Sequence, residues 1–175
     1  MIDTVANSWG FSLFCDDIRA EIGGKISVMG VYQADMIFPL DQEFPLTLPK
    51  FGILFKYYET MGAFTEDVAI RVFFPGDSKE APSIILPFPR ASIVIPEPLY
   101  PLDEDQQRVF NLSFPVLLAP LVIKQEGFIK VRVVCGDRTT NLGSLMIRKA
   151  RAEENLLPFG FPPRPPGPAA PAVSG

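Results

Sequence analysis

The chain has no histidine, only two cysteines and one tryptophan among its 175 residues. The missing imidazole excludes Ser-His-Asp and Cys-His nucleophile pairs, His-ligated zinc or non-haem iron, and imidazole acid–base catalysis. The two thiols, Cys15 and Cys135, are too few for a four-cysteine zinc site. Each sits in an apolar, strand-like run, which suits small buried hydrophobes better than ligands or nucleophiles. A disulfide between them stays open but is disfavoured in an intracellular chain.

Positive charge is also short. Sixteen Lys and Arg face twenty Asp and Glu, a net charge of −4, and the only close basic cluster is Arg148, Lys149 and Arg151. Short of a patch that only folding assembles, there is no footprint for a nucleic-acid backbone. Residues 1–8 carry Asp3 but no Lys or Arg, and lack the apolar core of a signal peptide. The most apolar stretch, Val109 to Ile123, is interrupted by Asn111, Ser113, Pro115 and Pro120, too short and too broken for a bilayer span. The expectation is a cytoplasmic protein without a membrane span and without a cofactor.

What is present is a period of two. Trp9, Phe11, Leu13 and Cys15 share one face of a strand, with Ser8, Gly10, Ser12 and Asp16 on the other, the mark of a half-buried strand. Phe51, Ile53, Phe55 and Tyr57 alternate with Lys56, Val68, Ile70 and Val72 with Ala69 and Arg71, and Ile129, Val131, Val133 and Cys135 with Lys130 and Arg132. Gly23-Gly24-Lys25, Pro75-Gly76-Asp77 and Gly136-Asp137-Arg138 supply turns between such runs. Ser83 to Phe88 and Ala91 to Ile95 read as short strands, demoted to an edge or to coil by Pro82, Pro87, Pro89 and Pro96. Strands recurring about every ten residues without amphipathic helices predict an all-β chain, an antiparallel β-sandwich of about 7–9 strands, Ig-like or C2-like, with a barrel as the alternative closure. That domain spans residues 1–149. Residues 150–175 read as a short helix followed by a disordered tail, since Pro158 to Gly175 hold 7 of the 19 prolines and one charged side chain.

Function is less legible. Gly23-Gly24-Lys25 fails as a phosphate loop, because Arg19 stands where the first Gly belongs and Ile26 where Ser or Thr belongs. Asp16, Asp17, Arg19, Glu21 and Lys25 form the candidate recognition loop. Its acids could offer hard oxygen ligands to Ca²⁺, with Asp103, Glu104 and Asp105 as a second loop. A solvated loop with a carboxylate paired to Arg19 accounts for the same residues. Paired-carboxylate hydrolysis needs no His, but Glu59, Glu66 and Glu126 sit near strand ends, where exposure is the ordinary outcome. Fifteen Phe invite an aromatic platform around Tyr57, Tyr58 and Tyr100, although sandwich cores also fill with Phe. Tyr57 and Tyr58, adjacent in a strand, must point to opposite faces.

The stretch Phe14 to Tyr32, with its Cys-Asp-Asp-Ile-Arg and Gly-Lys-Ile-Ser segments, followed by Pro45 to Pro49, resembles an uncharacterised family of small bacterial β-rich proteins. The resemblance covers Trp9 to Lys149 and implies a bacterial cytoplasmic origin, but no activity, cofactor or catalytic residue. The sequence therefore predicts a non-catalytic binding or protein-interaction module with a protein partner or a second copy of itself. A C2-like Ca²⁺ or membrane-surface binder and a carboxylate hydrolase are the alternatives.

Overall fold

The computed structural model describes residues 8–60, 65–94 and 108–151. The expected C-terminal helix and tail, apart from residues 150 and 151, lie outside these, as do Tyr100 and the acidic run Asp103 to Asp105. The described chain is all-β. Its twelve strands are β1 (Ser8–Cys15), β2 (Asp17–Ala20), β3 (Ile26–Met29), β4 (Asp35–Phe38), β5 (Leu46–Leu48), β6 (Phe51–Thr60), β7 (Val68–Phe73), β8 (Ile84–Phe88), β9 (Val109–Leu118), β10 (Leu121–Ile123), β11 (Gly127–Cys135) and β12 (Arg138–Lys149). They form a three-stranded sheet β1-β6-β9, a five-stranded sheet β4-β12-β11-β7-β8, and the pairs β2-β3 and β5-β10.

The period of two is what builds the core. Phe51, Ile53, Phe55 and Tyr57 of β6 share one buried cluster with Val68, Ile70 and Val72 of β7, Ile129, Val131 and Val133 of β11, and Leu142, Leu145 and Ile147 of β12. Each fully buried Ile or Phe contributes about 1.5–3 kcal/mol through area removed from water. The polar phase of the same strands faces outward. Cys15 and Cys135 are both buried and free, so the disulfide is absent.

Three local expectations are corrected. β1 is half-buried, but its small side turns inward. Ser8, Gly10, Ser12 and Phe14 lie opposite Glu59, Tyr57, Phe55 and Ile53, while Trp9 and Phe11 stay over 40% exposed. The reason is a close approach by β12. A Cβ on Gly10 would come within 2.2 Å of the Lys56 carbonyl oxygen and 2.7 Å of Leu142 Cδ2. Only a residue without a side chain fits there. Second, Ala91 to Ile95 does not form a strand over its described residues: Arg90–Ser92 is a single 3₁₀ turn, consistent with the loss of ladder donors at Pro87 and Pro89. Third, the ladders are not all antiparallel, because β4 pairs parallel with β12, Met36 opposite Ile147. A long excursion of the chain makes this connection, with no α-helix among its described residues.

Candidate functional site

The middle of the predicted recognition loop, Asp17 to Ala20, is a strand, while Asp16, Glu21 and Lys25 lie outside it. Asp17 to Ala20 pair with Ile26 to Met29, and the Glu21 N–H donates to the Lys25 carbonyl oxygen at 2.8 Å, closing a hairpin through Gly23 and Gly24, both at positive φ. The sequence's turn reading of Gly23-Gly24-Lys25 therefore holds, while its reading of Asp16 to Glu21 as a loop fails for Asp17 to Ala20. Nor do the three acids converge. Asp16 accepts from the Tyr32 hydroxyl, Asp17 pairs with Arg19 at 3.1 Å and with Lys50 at 3.4 Å, and Glu21 accepts from Ser27 at 2.9 Å. The hydrogen bond from Arg19 holds the Asp17 carboxyl below the usual carboxylate range, outweighing the opposing effect of desolvation, and the nearby Lys50 charge adds to it. Burial, followed by the bond to Asp16, pushes the Tyr32 phenol up. Among the described residues no three Asp, Glu, Cys or His side chains gather as metal ligands would.

The hairpin covers one end of the outward face of β1-β6-β9. Ile18 packs on Gly52, where a Cβ would meet Cys15 Sγ at 2.7 Å and Ile18 Cγ1 at 2.8 Å. At the other end of that face Trp9 stacks on Tyr58, ring centroids 5.5 Å apart, so Tyr57 and Tyr58 do point to opposite sides.

Glu59 is the largest departure from expectation. It is fully buried, not exposed. Glu66 and Glu126 are exposed as expected. One Glu59 oxygen accepts from the Tyr57 hydroxyl at 2.6 Å, and the other pairs with Arg138, whose Nη2 also lies 3.5 Å from Cys135 Sγ. Burial and then the bond to Glu59 push the Tyr57 phenol up. Burial, reinforced by the Glu59 charge, pushes the Cys135 thiol up. Both hold their protons, and both Glu59 oxygens are engaged by donors of the same fold.

The opposite situation exists on the outward face of the five-stranded sheet. There a groove of about 470 Å³ runs over β7 and β11. Across its floor Arg71 and Arg132 are direct register partners, with Lys130 opposite Phe73 one step along. Outward side chains of directly opposed residues stand on Cβ atoms roughly 5 Å apart, a placement that disfavours like charges. The flanking positions in the same row are Ile85 of β8 and Asn141 of β12, neither of them acidic. None of Arg71, Lys130 and Arg132 makes an ion pair. Arg132 donates to the Val131 carbonyl oxygen at 3.2 Å, and Lys130 stands 6.0 Å above the Phe128 ring. The Arg71 Nε is buried with no hydrogen-bond partner. A buried donor without a partner costs about 1–3 kcal/mol, and more when charged. Among the described residues the other buried side-chain polar atom without a partner, Ser12 Oγ, belongs to the inward face of β1 and does not line the groove.

Two acids stand at the groove's edge, and both are engaged elsewhere. Asp77 accepts from the N–H groups of Phe74 and Ser83 and from the Ser83 hydroxyl, at 2.8–2.9 Å. Burial raises the Asp77 pKa, but these donors outweigh it and hold the carboxyl below its ordinary range. Glu126 accepts from the Lys149 N–H at 2.7 Å. Neither acid forms an ion pair with Arg71, Lys130 or Arg132 on the groove's floor. The scattered distribution of Lys and Arg in the sequence gave no sign of this cluster, because it is made by pairing β7 with β11.

Comparison of the chain with protein-family models, with curated proteins and with solved structures gave no match in any of the three. The functional reading therefore rests on the geometry of this chain alone.

Proposed function

We propose that the protein is a non-catalytic binding module, a two-layer β-sandwich that uses the outward face of its five-stranded sheet to hold an anionic ligand. The observation that carries this reading is the directly opposed Arg71 and Arg132 with no acid beside them, one with a buried, unpartnered Nε. On a folded surface such a pair is a cost unless something negative sits on it. The missing histidine and the fully engaged Glu59 support a binding role over a catalytic one. The hairpin of Asp16, Asp17, Arg19, Glu21 and Lys25 is a weaker alternative, since Asp17 is already paired with Arg19 and Lys50, and Asp16 and Glu21 already accept from Tyr32 and Ser27. No helix among the described residues is long and apolar enough to cross a membrane.

The test is a map of where an anion lands. Amide chemical shifts should be followed while inorganic phosphate is added at constant ionic strength. The reading expects the largest changes at the outward residues of β7 and β11, Arg71 and Arg132 foremost. Changes centred on the β2–β3 hairpin, or spread evenly over the Lys and Arg residues, would contradict it.

A further inference from the structure

The shape and lining of the groove narrow the ligand, provided that the anion-binding reading above is right. We infer that the groove takes a small organic anion with a planar apolar body. Its carboxylate or phosphate lies between Arg71 and Arg132, and its body lies against the exposed Phe128 ring and the half-buried Phe73 at the other end of the floor. Three observations point to this class.

The first is that one end of the groove is closed. The turn after β7 and the turn before β11 touch each other there. A Cβ on Gly76 would meet the Gln125 side-chain amide at 3.7 Å, and one on Gly127 would meet Pro75 Cβ at 3.2 Å. Gly76 at φ +100° and Gly127 at φ +143° let the two turns lie this close. An extended acidic segment laid along the strands needs a channel open at both ends, whereas a compact molecule needs only one entrance. The second is volume. About 470 Å³ lies within the roughly 300–1,000 Å³ typical of small-molecule sites.

The third is the order of side chains along the floor. Arg71 and Arg132 are opposed at one level, Lys130 and Phe73 at the next, and Phe128, 47% exposed, lies two residues further along β11 toward the closed end. Guanidinium groups suit the planar, paired oxygens of a carboxylate or phosphate. Exposed aromatic rings suit a flat apolar body, and Lys130 near the Phe128 ring adds a cation at the junction of the two zones. A ligand built as anion plus ring would meet both zones at once. Inorganic phosphate would meet only the first.

The experiment compares three probes by calorimetry on the full chain: inorganic phosphate, phenyl phosphate and a hexaglutamate peptide. Phenyl phosphate should bind at least tenfold more tightly than inorganic phosphate. Phe128→Ala should abolish most of that advantage. Arg71→Met should remove binding of both, with an intact thermal transition showing that the variant folds. Equal binding of the two phosphates would overturn the planar-anion inference and leave the anion-binding reading standing. Tightest binding of hexaglutamate would overturn it in favour of an acidic chain. No binding of any probe at tens of millimolar, or undiminished binding by Arg71→Met, would overturn both.

Discussion

Arg138 and Arg71 belong to the same five-stranded sheet and have opposite surroundings. Arg138 reaches a fully buried carboxylate, Glu59, beside the Tyr57 hydroxyl and Cys135. Arg71 faces Arg132 across a strand pair, with Ile85 on its other side. In the first region each Glu59 oxygen is answered by a donor within the chain. In the second, positive charge is placed next to positive charge and one donor is left bare. The contrast teaches where the fold spends its polar groups. A buried charge must be matched inside the protein, because an unmatched one is too costly. An unmatched charge at a groove keeps part of its hydration, and on the proposed reading an anionic ligand supplies its match.

The largest expected effect comes from breaking the inner region. Glu59→Ala leaves the Tyr57 hydroxyl and Arg138 without their shared acceptor. Loss of one partner of a buried pair costs about 3–5 kcal/mol, and the 40% exposure of the Arg138 side chain puts the loss at the lower end. Urea unfolding should register it as a lower midpoint at unchanged slope, and a loss under 1 kcal/mol would mean that the pair is not structural. Next is the close approach of strands that encloses this region. Gly10→Ala forces a Cβ against the Lys56 carbonyl oxygen and Leu142. Overpacking of that kind costs about 1–3 kcal/mol, and neutrality in the same unfolding assay would disprove the tight crossing of β1 and β12.

Alkaline pH sharpens the comparison by acting on the inner region and on Tyr32 rather than on the groove. The folded state raises the pKa of Tyr57 and Tyr32 above their ordinary values, through burial first and then their carboxylate neighbours. A raised pKa means that the unfolded chain gives up the proton first. The stability from these phenols is therefore complete below about pH 10 and declines as pH climbs past it. The buried thiols of Cys15 and Cys135 shift the same way, with the decline starting near pH 8.5. The urea midpoint should fall between pH 8 and pH 11, and Tyr57→Phe should lessen the fall above pH 10. A midpoint independent of pH over that range would contradict the assignment.

Much of the architecture could be read from the residues because both main sheets bury one face. Val68-Ile70-Val72 and Ile129-Val131-Val133 alternate cleanly for that reason. β1 misleads because the crossing of β12 overrides hydrophobicity and demands Gly10 where a large side chain would otherwise fit. β5 and β10 went unseen because three-residue strands beginning right after Pro45 and Pro120 are too short to show a period. Glu59 carried its own signal, since it is in phase with Phe51, Ile53, Phe55 and Tyr57. The strand-end rule hid it. The groove could not be foreseen from the same pattern. Arg71 and Arg132 each occupy an ordinary outward position, and only the long-range register of β7 with β11 brings them together.

The most direct test of the central claim is the stability of Arg71→Met without any added anion. If the opposed arginines are kept for a ligand, removing one relieves repulsion and an unpartnered buried donor. The unliganded protein should then be more stable by about 0.5–1 kcal/mol, as happens when a binding residue is traded away. A variant less stable than the parent by that amount would show that Arg71 serves the fold, and would contradict the account.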